Sequence, residues 1–379
     1  MKRLIYILCF FALLSCDKEI TTVQRSEIMQ FSVLTPEQVS TKAEVTESGL
    51  VSAGDQVYVY GMSSDGSSSI PVFASPGTAK LQYNAATNTW KPIQIEYETS
   101  PDNNELVEKY VDKTWDSEGR LYYQFYAYAY SGNVDLNTNL VISTDVAGRQ
   151  FTVVQPESAT WSAPQSAAGV SDGSGTVDYL LSYLVNVPPS PSKNYPLVHL
   201  QLEHAMAKVE VDVQMARAMI NKIKNVSVEI KGIRRGATML CLQPKFDTDP
   251  GSNSWLVTMN NGLSRASYKV TDIACSEDNL GEGTNLISTD MSFIAVPVTK
   301  SEMDGYKLVL TYYNDDDDMS GDPTYRYEFA LRDFSSNGWM SGHRVKYVLT
   351  VDNSIHLTGS IVDYQDVDYM EGVMLPDIQ

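Results

Sequence analysis

The sequence predicts an all-β protein built from antiparallel β-sandwiches. Apolar and polar residues alternate in short runs, and clusters of Gly, Ser, Asn and Asp separate these runs. This pattern is typical of strands joined by turns, and good helical periodicity is nearly absent. Many short strands at such spacing favour antiparallel sandwiches over a parallel α/β layout.

Twelve segments carry the strand pattern, in chain order 28–33, 56–61, 89–97, 121–130, 149–154, 197–213, 225–233, 254–259, 291–298, 307–313, 325–331 and 344–352. The one helix candidate, 214–224, lies in a connection. The stretch 155–175 is rich in Ser, Ala and Gly, and we expect it to form a long surface loop.

The length of 379 residues predicts two domains and leaves a third open. Pro188, Pro189 and Pro191 cannot donate to a strand ladder and favour an extended linker. We therefore place the boundary there, with an N-terminal β-sandwich at 43–190 and a C-terminal β-sandwich at 191–379.

The N-terminus has the layout of a secretory signal, 1–15, in which two cations precede an apolar run that is too short to span a bilayer. The sequence LLSC at 13–16 resembles a bacterial lipobox, which predicts lipidation of Cys16. A plain signal that happens to contain a cysteine is the alternative. The tripeptide DKE at 17–19 resembles a surface-export signal of Gram-negative lipoproteins, although enteric bacteria would retain such a protein at the inner membrane.

The charge balance of 28 basic and 47 acidic residues argues against nucleic acid as a partner, because phosphate backbones would repel the chain. Beyond the signal, Cys241 and Cys275 could form a disulfide in an oxidising compartment or remain two buried thiols. Their spacing supports no metal site, and nothing in the sequence calls for a cofactor.

No motif of an enzyme is present: Gly-x-Ser-x-Gly, His-Glu-x-x-His and a phosphate loop are all absent, so we predict no catalytic residues. His199 and His204 would face opposite sides of a strand and cannot share a metal ion. For His204 the sequence favours a packed or hydrogen-bonded structural role.

One strand, 121–130, is unusually aromatic. Its alternation places four tyrosines on one face, namely Tyr122, Tyr126, Tyr128 and Tyr130. An exposed face of this kind could stack on sugar rings. The alternative is a strand whose two faces are both packed in the interior.

Several segments, in order, resemble the fimbrillin family, the subunits of type V pili. They are IMQFSV at 28–33, STKA at 40–43, GDQVYVY at 54–60, YQFYAYAY at 123–130, LQLEHAMAKVEV at 200–211, FIAVP at 293–297 and GHRVKYVLTV at 342–351. The resemblance implies two transthyretin-like antiparallel β-sandwich domains in tandem. It also implies an outer-membrane lipoprotein that reaches the cell surface and joins the fimbrium.

In this family a protease removes the lipidated N-terminus with the first strand, and a strand from another subunit fills the gap. Here 16–42 would be that segment, cut after Lys42, or after Arg25 if only the anchor is released. An uncut chain that keeps its lipid as a basal anchor is the further alternative. The strand residues would be Ile28, Phe31 and Val33. Other fimbrial subunits would be the partners, in a head-to-tail polymer.

The donor strand would come from 355–376, where Ile355, Leu357, Gly359 and Ile361 share one face by alternation. The alternative is an ordinary last strand of the second sandwich. The resulting expectation is a structural or tip subunit of a fimbria that contributes to adhesion to host or partner cells. A monomeric surface lipoprotein that binds glycans is the second hypothesis.

Overall fold

A computed structural model of the chain describes residues 28–34, 57–73, 78–84, 86–87, 89–99, 106–130, 140–143, 150–162, 175–216, 219, 222–241, 255–259, 261–273, 286–314, 316–317, 323, 325–351 and 355–363. Regular structure in these residues is β-strand, apart from short 3-10 turns such as Lys300–Glu302 and Leu331–Phe334. The prediction of an all-β protein is confirmed.

The strands are numbered in chain order. The first thirteen are β1 Phe31–Leu34, β2 Val57–Ser64, β3 Ser69–Pro71, β4 Thr78–Asn84, β5 Thr89–Thr99, β6 Leu106–Asp112, β7 Tyr122–Tyr130, β8 Leu140–Ser143, β9 Gln150–Val154, β10 Ser158–Ser162, β11 Tyr179–Ser182, β12 Val185–Val187 and β13 Val198–His204. The remaining twelve are β14 Ala207–Met215, β15 Ile223–Arg234, β16 Gly236–Cys241, β17 Trp255–Met259, β18 Arg265–Ile273, β19 Leu286–Ala295, β20 Val298–Thr299, β21 Lys307–Asn314, β22 Tyr325–Ala330, β23 Gly338–Trp339, β24 His343–Val351 and β25 Ile355–Asp363.

Seven strands of the first half close into a ring. The hydrogen-bonded order is β7-β11-β13-β1-β5-β4-β2, and β2 pairs with β7 again, so the sheet returns to its start. The strands β12, β3 and β6 extend this sheet outside the ring. Since every strand of a closed sheet has two neighbours, removing any one of them exposes two edges.

The interior of the ring is a compact apolar core. Alternate residues of each strand point inward, and the fully buried members include Phe31, Val57, Val59, Leu81, Phe125, Ala127, Ala129, Leu180 and Leu200. Two tryptophans, Trp90 and Trp115, lie at its margin and are also buried.

The aromatic strand β7 packs on both faces. Phe125, Ala127 and Ala129 point into the ring, whereas Tyr126, Tyr128 and Tyr130 belong to the larger core shared with the second half of the chain. These three tyrosines are 0 to 7% exposed. These three tyrosines are therefore too buried to stack on a sugar ring, and the interpretation of a strand packed on both faces is confirmed for them.

The second half forms open sheets around the larger core. Their orders are β10-β18-β15-β21-β22, β19-β14-β24-β25 and β17-β16-β9-β8, with a small pair β20-β23. The strands β9 and β10 precede residue 190, yet they pair with β16 and β18 from beyond it. Side chains of β7 and β11 pack in the same core as Val209 and Tyr347.

Three local predictions differ from the structure. The helix expected at 214–224 is not found: Gln214 and Met215 extend β14, β15 begins at Ile223, and 217–218 and 220–221 lie outside the described residues. The single strand expected at 197–213 is two strands that belong to different sheets. Within the expected loop 155–175, residues 158–162 form β10, which pairs with β18 because Ala159 and Trp161 give it strand alternation.

The proline-rich stretch packs on the ring. Tyr195 stacks on Trp115 with 4.4 Å between ring centroids. Gly119 has a φ of 69°, and a Cβ there would overlap the carbonyl group of Ser190. The amide of Lys193 donates to the Ser190 carbonyl at 2.8 Å, which closes a turn. This segment therefore lies against the loop that precedes β7.

Candidate functional site

The first strand, β1, completes the ring. It runs parallel to β13, with Phe31 opposite Val198 and Leu34 opposite Gln201, and antiparallel to β5, where Phe31 faces Trp90. We call the space between β13 and β5 that β1 occupies the first-strand groove. The two sides of the groove, β13 and β5, come from distant parts of the chain, and β1 joins them by pairing with both.

Alternation decides which side chains of β1 fill the groove. Met29, Phe31 and Val33 point inward and are 1%, 0% and 7% exposed. Gln30 and Ser32, which lie between them, are half-buried on the other face. A strand with this pattern buries one apolar face and leaves a polar face outward.

Phe31 is the central contact of the groove. Its ring meets Phe125 edge to face, with 5.2 Å between centroids and 84° between planes. Phe125 in turn contacts the rings of Trp115 and Tyr123, each at 6.0 Å. Such edge-to-face packing adds about 0.5–1.5 kcal/mol to the hydrophobic term of burial.

The beginning of β1 is held by backbone hydrogen bonds. The amide of Met29 donates to the Lys113 carbonyl at 2.8 Å, and the amide of Val198 donates to the Gln30 carbonyl at 3.1 Å. Ile28, which is half-buried, forms an antiparallel bridge with Thr114. These contacts fix the register of the strand in the groove.

The structure describes some of the predicted site residues and not others. Phe31 and Val33 lie inside the first-strand groove, and Ile28 lies at its entrance. Cys16, Arg25 and Lys42 lie outside the described residues.

The candidate donor residues lie in β25, which forms the edge of its own sheet. β25 pairs antiparallel with β24 from Ile355 opposite Val351 to Asp363 opposite His343. Leu357 is 6% exposed in the larger core, and Ile355 packs against it. The side chain of Ile361 is outside the described part. Within the described residues β25 therefore pairs inside its own chain, and a donor role remains a proposal.

Gly359 is fitted tightly into its place in β25. A Cβ at this position would overlap the carbonyl oxygen of Phe334 and lie 3.3 Å from the ring of Tyr347. Glycine is required here because there is no room for a side chain, and not because of the backbone φ. Any side chain here must push β25 away from the strand and turn that flank it.

We expect Gly359→Ala to weaken the pairing of β25 with β24. Overpacking of this kind typically costs about 1–3 kcal/mol. Hydrogen exchange should detect it as amide exchange in 355–363 that is about tenfold to 100-fold faster. Ser360→Ala, on the outward face of the same strand, is the control. Equal exchange in the two variants would show that this contact does not hold β25.

A buried hydrogen bond between a histidine and a carboxylate lies where the ring meets the second half. His204, the last residue of β13, and Asp178, just before β11, are joined by a 2.7 Å contact between Nδ1 and Oδ2. Their side chains are 1% and 0% exposed. The predicted structural role of His204 is thereby confirmed, and the imidazole N–H can donate to the carboxylate.

Hydrogen bonds from two other parts of the chain hold the segment that precedes Asp178. The side-chain amide of Gln155 bonds the backbone of Val177 in both directions, at 2.6 and 2.8 Å. The hydroxyl of Thr176 accepts a hydrogen bond from the Ile294 amide at 2.8 Å. We did not predict Asp178; a single carboxylate inside the apolar run 177–181 is the signal that could have found it.

Glu203 on β13 has an unfavourable charge in the folded state. Burial raises the pKa of its carboxyl group, while a hydrogen bond from the Tyr183 hydroxyl and the nearby His204 oppose this rise. Folding therefore makes this carboxyl group easier to protonate than it is in the unfolded chain. Its stability should fall as the pH rises from the ordinary glutamate pKa toward the raised value.

We expect Glu203→Gln to remove this loss of stability. As the pH rises from about 4 to about 7, the free energy of unfolding measured by urea denaturation should decline less for Glu203→Gln than for the parent. Gln keeps an oxygen that can accept from the Tyr183 hydroxyl. Glu118→Gln, at an exposed site, is the control and should follow the parent. The same decline in all three proteins would contradict the expectation.

The described residues contain neither a metal-binding cluster nor a membrane-spanning helix. Within these residues, His, Cys, Asp and Glu do not form a group of three placed to hold a metal ion. In the same part of the chain, the helical segments are too short and too polar to cross a bilayer.

Residues 41–363 match the family described as fimbrillin-like. The match covers most of the 379 residues, so the chain belongs to the fimbrillin-like family. This is a family of fimbrial structural proteins and not of enzymes. Membership implies a place in the cell-surface fimbrium and contacts with other fimbrial components.

Three solved structures that match over most of the chain are examples of the proteins it is similar to. A candidate cell adhesion protein from Bacteroides ovatus is 15% identical over 90% of this chain and 99% of its own, with a TM-score of 0.46. A fimbrial assembly protein from Parabacteroides distasonis is 12% identical over 91% and 97%, with a TM-score of 0.38. The fimbrial anchor protein Mfa2 from Porphyromonas gingivalis is 14% identical over 89% and 99%, with a TM-score of 0.31. No curated protein matches the sequence.

Proposed function

We propose that this protein is a structural or tip subunit of a fimbria and that it joins the fimbria by replacing its first strand. The observation that supports this most is the position of β1, which closes the ring from the N-terminal side of the chain. Removing β1 would free the edges of β13 and β5 and open pockets where Met29, Phe31 and Val33 were. A strand from another subunit can pair with both free edges and fill the apolar pockets.

The proposal includes the maturation steps that the family resemblance implies. The precursor is lipidated on Cys16 and held in the outer membrane, and a protease then cuts after Lys42, or after Arg25 if only the anchor is released. A cut after Lys42 separates β1 from the rest of the chain because β1 ends at Leu34. The lysine stands where the family usually has arginine, so a trypsin-like protease suits this chain.

The two strand-rich units of the sequence, 43–190 and 191–379, form tandem transthyretin-like sandwiches in this proposal. Support comes from the separation of the strands into a closed sheet, largely from the first half, and open sheets, largely from the second. Strands cross the proposed boundary in both directions: β13 completes the closed sheet, and β9 and β10 pair with β16 and β18. The first-strand groove then lies where the two units meet. The donor face of Ile355, Leu357 and Ile361 serves the next subunit, so the contacts run head to tail.

A reversible lock on β1 tests strand replacement. Ser32 and His199 are register partners in the parallel pair β1 and β13, so cysteines at both positions are close enough for a disulfide. In the Ser32→Cys and His199→Cys double variant, a specific protease site replaces residues 38–42. After cleavage, we expect a labelled peptide of residues 26–36 to exchange into the groove only once the disulfide is reduced.

Each single-cysteine variant is the control and should exchange under both conditions. The uncut chain should not exchange, because a tethered β1 has a high effective concentration. A cleaved and reduced protein that never takes up the peptide would contradict strand replacement.

A further inference from the structure

The first-strand groove has three inward positions of unequal size. β1 fills them with Met29, Phe31 and Val33, and the central position alone holds an aromatic ring. That ring is fully buried and lies edge to face on Phe125. The groove is therefore shaped for an aromatic residue with an aliphatic residue two positions to either side.

This shape sets conditions on any strand that replaces β1. A smaller side chain at the centre would leave a cavity against Phe125, because packed surroundings collapse only in part. A carboxylate at either flank would be buried beside apolar residues without a compensating partner. Since the required pattern is symmetric about its centre, it applies to a strand that enters in either direction.

The candidate donor face of this chain does not meet these conditions. Alternation places Ile355, Leu357, Gly359 and Ile361 on it, without an aromatic residue. Gly359 is instead matched to the place that β25 already occupies, because a Cβ would overlap the Phe334 carbonyl oxygen there. The face fits the sheet of β24 better than it fits the first-strand groove.

The sequence beyond β25 also lacks the pattern. Tyr364 has Val362 on one side but Asp366 on the other, at two residues' distance. Tyr369 has Val367 and Glu371 at the same spacing. In either register a carboxylate would enter a flanking pocket of the groove.

From these observations we infer that the strand replacing β1 in the fimbria comes from a different protein and not from the C-terminal segment, 353–372, of a second copy of this chain. That strand carries an aromatic residue flanked at two positions on each side by aliphatic residues. This inference rests on the proposed function, and it narrows the partner of the groove. The protein then occupies a junction between unlike subunits, and its C-terminal strand does not enter the first-strand groove of a second copy.

Peptide competition on the cleaved protein tests this inference. The assay uses the full chain with a specific protease site in place of residues 38–42, after cleavage at that site. The labelled probe is the peptide of residues 26–36, bound in the first-strand groove. Competitors are the same peptide with Phe31→Ala, the same peptide with Ser32→Ala, and peptides of residues 353–363 and 360–372. Fluorescence anisotropy measures the release of the probe.

We expect the Phe31→Ala peptide and both C-terminal peptides to compete at least about 100-fold more weakly than the unlabelled parent peptide. The Ser32→Ala peptide should match the parent, because that side chain lies on the outward face. The sharpest variant is the 353–363 peptide with Gly359→Phe, which places an aromatic residue between Leu357 and Ile361. It should regain most of the affinity, whereas the same peptide with Gly359→Ala should not.

Two outcomes would overturn the inference in distinguishable ways. If the unmodified 353–363 or 360–372 peptide competes as well as the parent, a second copy fits the groove, and only the inference fails. If the parent peptide itself never enters the cleaved protein, strand replacement fails and the inference fails with it.

Discussion

Phe31→Ala should destabilise the uncut protein by about 3–5 kcal/mol, the range for a buried phenylalanine. Phe31 is completely buried at the centre of the first-strand groove and touches Phe125 edge to face at 5.2 Å. Its removal leaves a cavity beside an aromatic cluster that can collapse only in part. Urea denaturation followed by tryptophan fluorescence measures the loss, since Trp90 and Trp115 border the ring core.

Ser32→Ala is the matched control for Phe31→Ala, because Ser32 lies on the outward face of the same strand. Its effect should remain within about 0.5 kcal/mol, as at other surface positions. If Phe31→Ala cost less than about 1 kcal/mol, β1 would not be packed in the ring as described.

Asp178→Ala should cost about 3 kcal/mol, because it leaves the buried imidazole of His204 without its carboxylate. The two side chains are 2.7 Å apart, and solvent reaches at most 1% of either. Asp178→Asn should cost less, because its amide oxygen can still accept from the imidazole. Equilibrium unfolding in urea at neutral pH compares the variants.

Asp304→Ala provides the reference for Asp178→Ala, since Asp304 lies in an exposed turn before Tyr306. A result for Asp178→Ala equal to that of Asp304→Ala would mean that the contact between Asp178 and His204 does not secure the junction of the two halves.

The all-β class could be predicted because strand alternation is a local signal. The same signal gave the two faces of β7, although only the structure shows that each face enters a different core. Closure of the ring could not be predicted, because β1 pairs with β13 across most of the first half of the chain. Sequence alternation carries no information on which distant strand becomes a neighbour.

The division of 197–213 into two strands could have been predicted from a change in the alternation of its apolar residues. In β13 the buried apolar residues fall at even positions, from Val198 to Leu202, whereas in β14 they fall at odd positions, from Val209 to Val213. A strand cannot change its inward face without a break or a bulge. The change of phase at Ala205 and Met206 marks the point where the chain leaves the ring.

The site could be predicted in part. Phe31 and Val33 follow from alternation in a short apolar segment, and the structure places both in the groove. The walls of the groove and the fit of Gly359 against Phe334 depend on tertiary contacts, so no local pattern contains them.

The N-terminal residue of the protein in fimbriae from its native cell surface tests the central claim most directly. Mass spectrometry of the assembled protein should find a start at Ala43, which means that 16–42, with β1, has been removed. Comparison with the membrane-bound precursor, which should start at a lipidated Cys16, provides the control. If assembled protein also starts at the lipidated Cys16, β1 stays in its groove, and assembly by replacement of the first strand is contradicted.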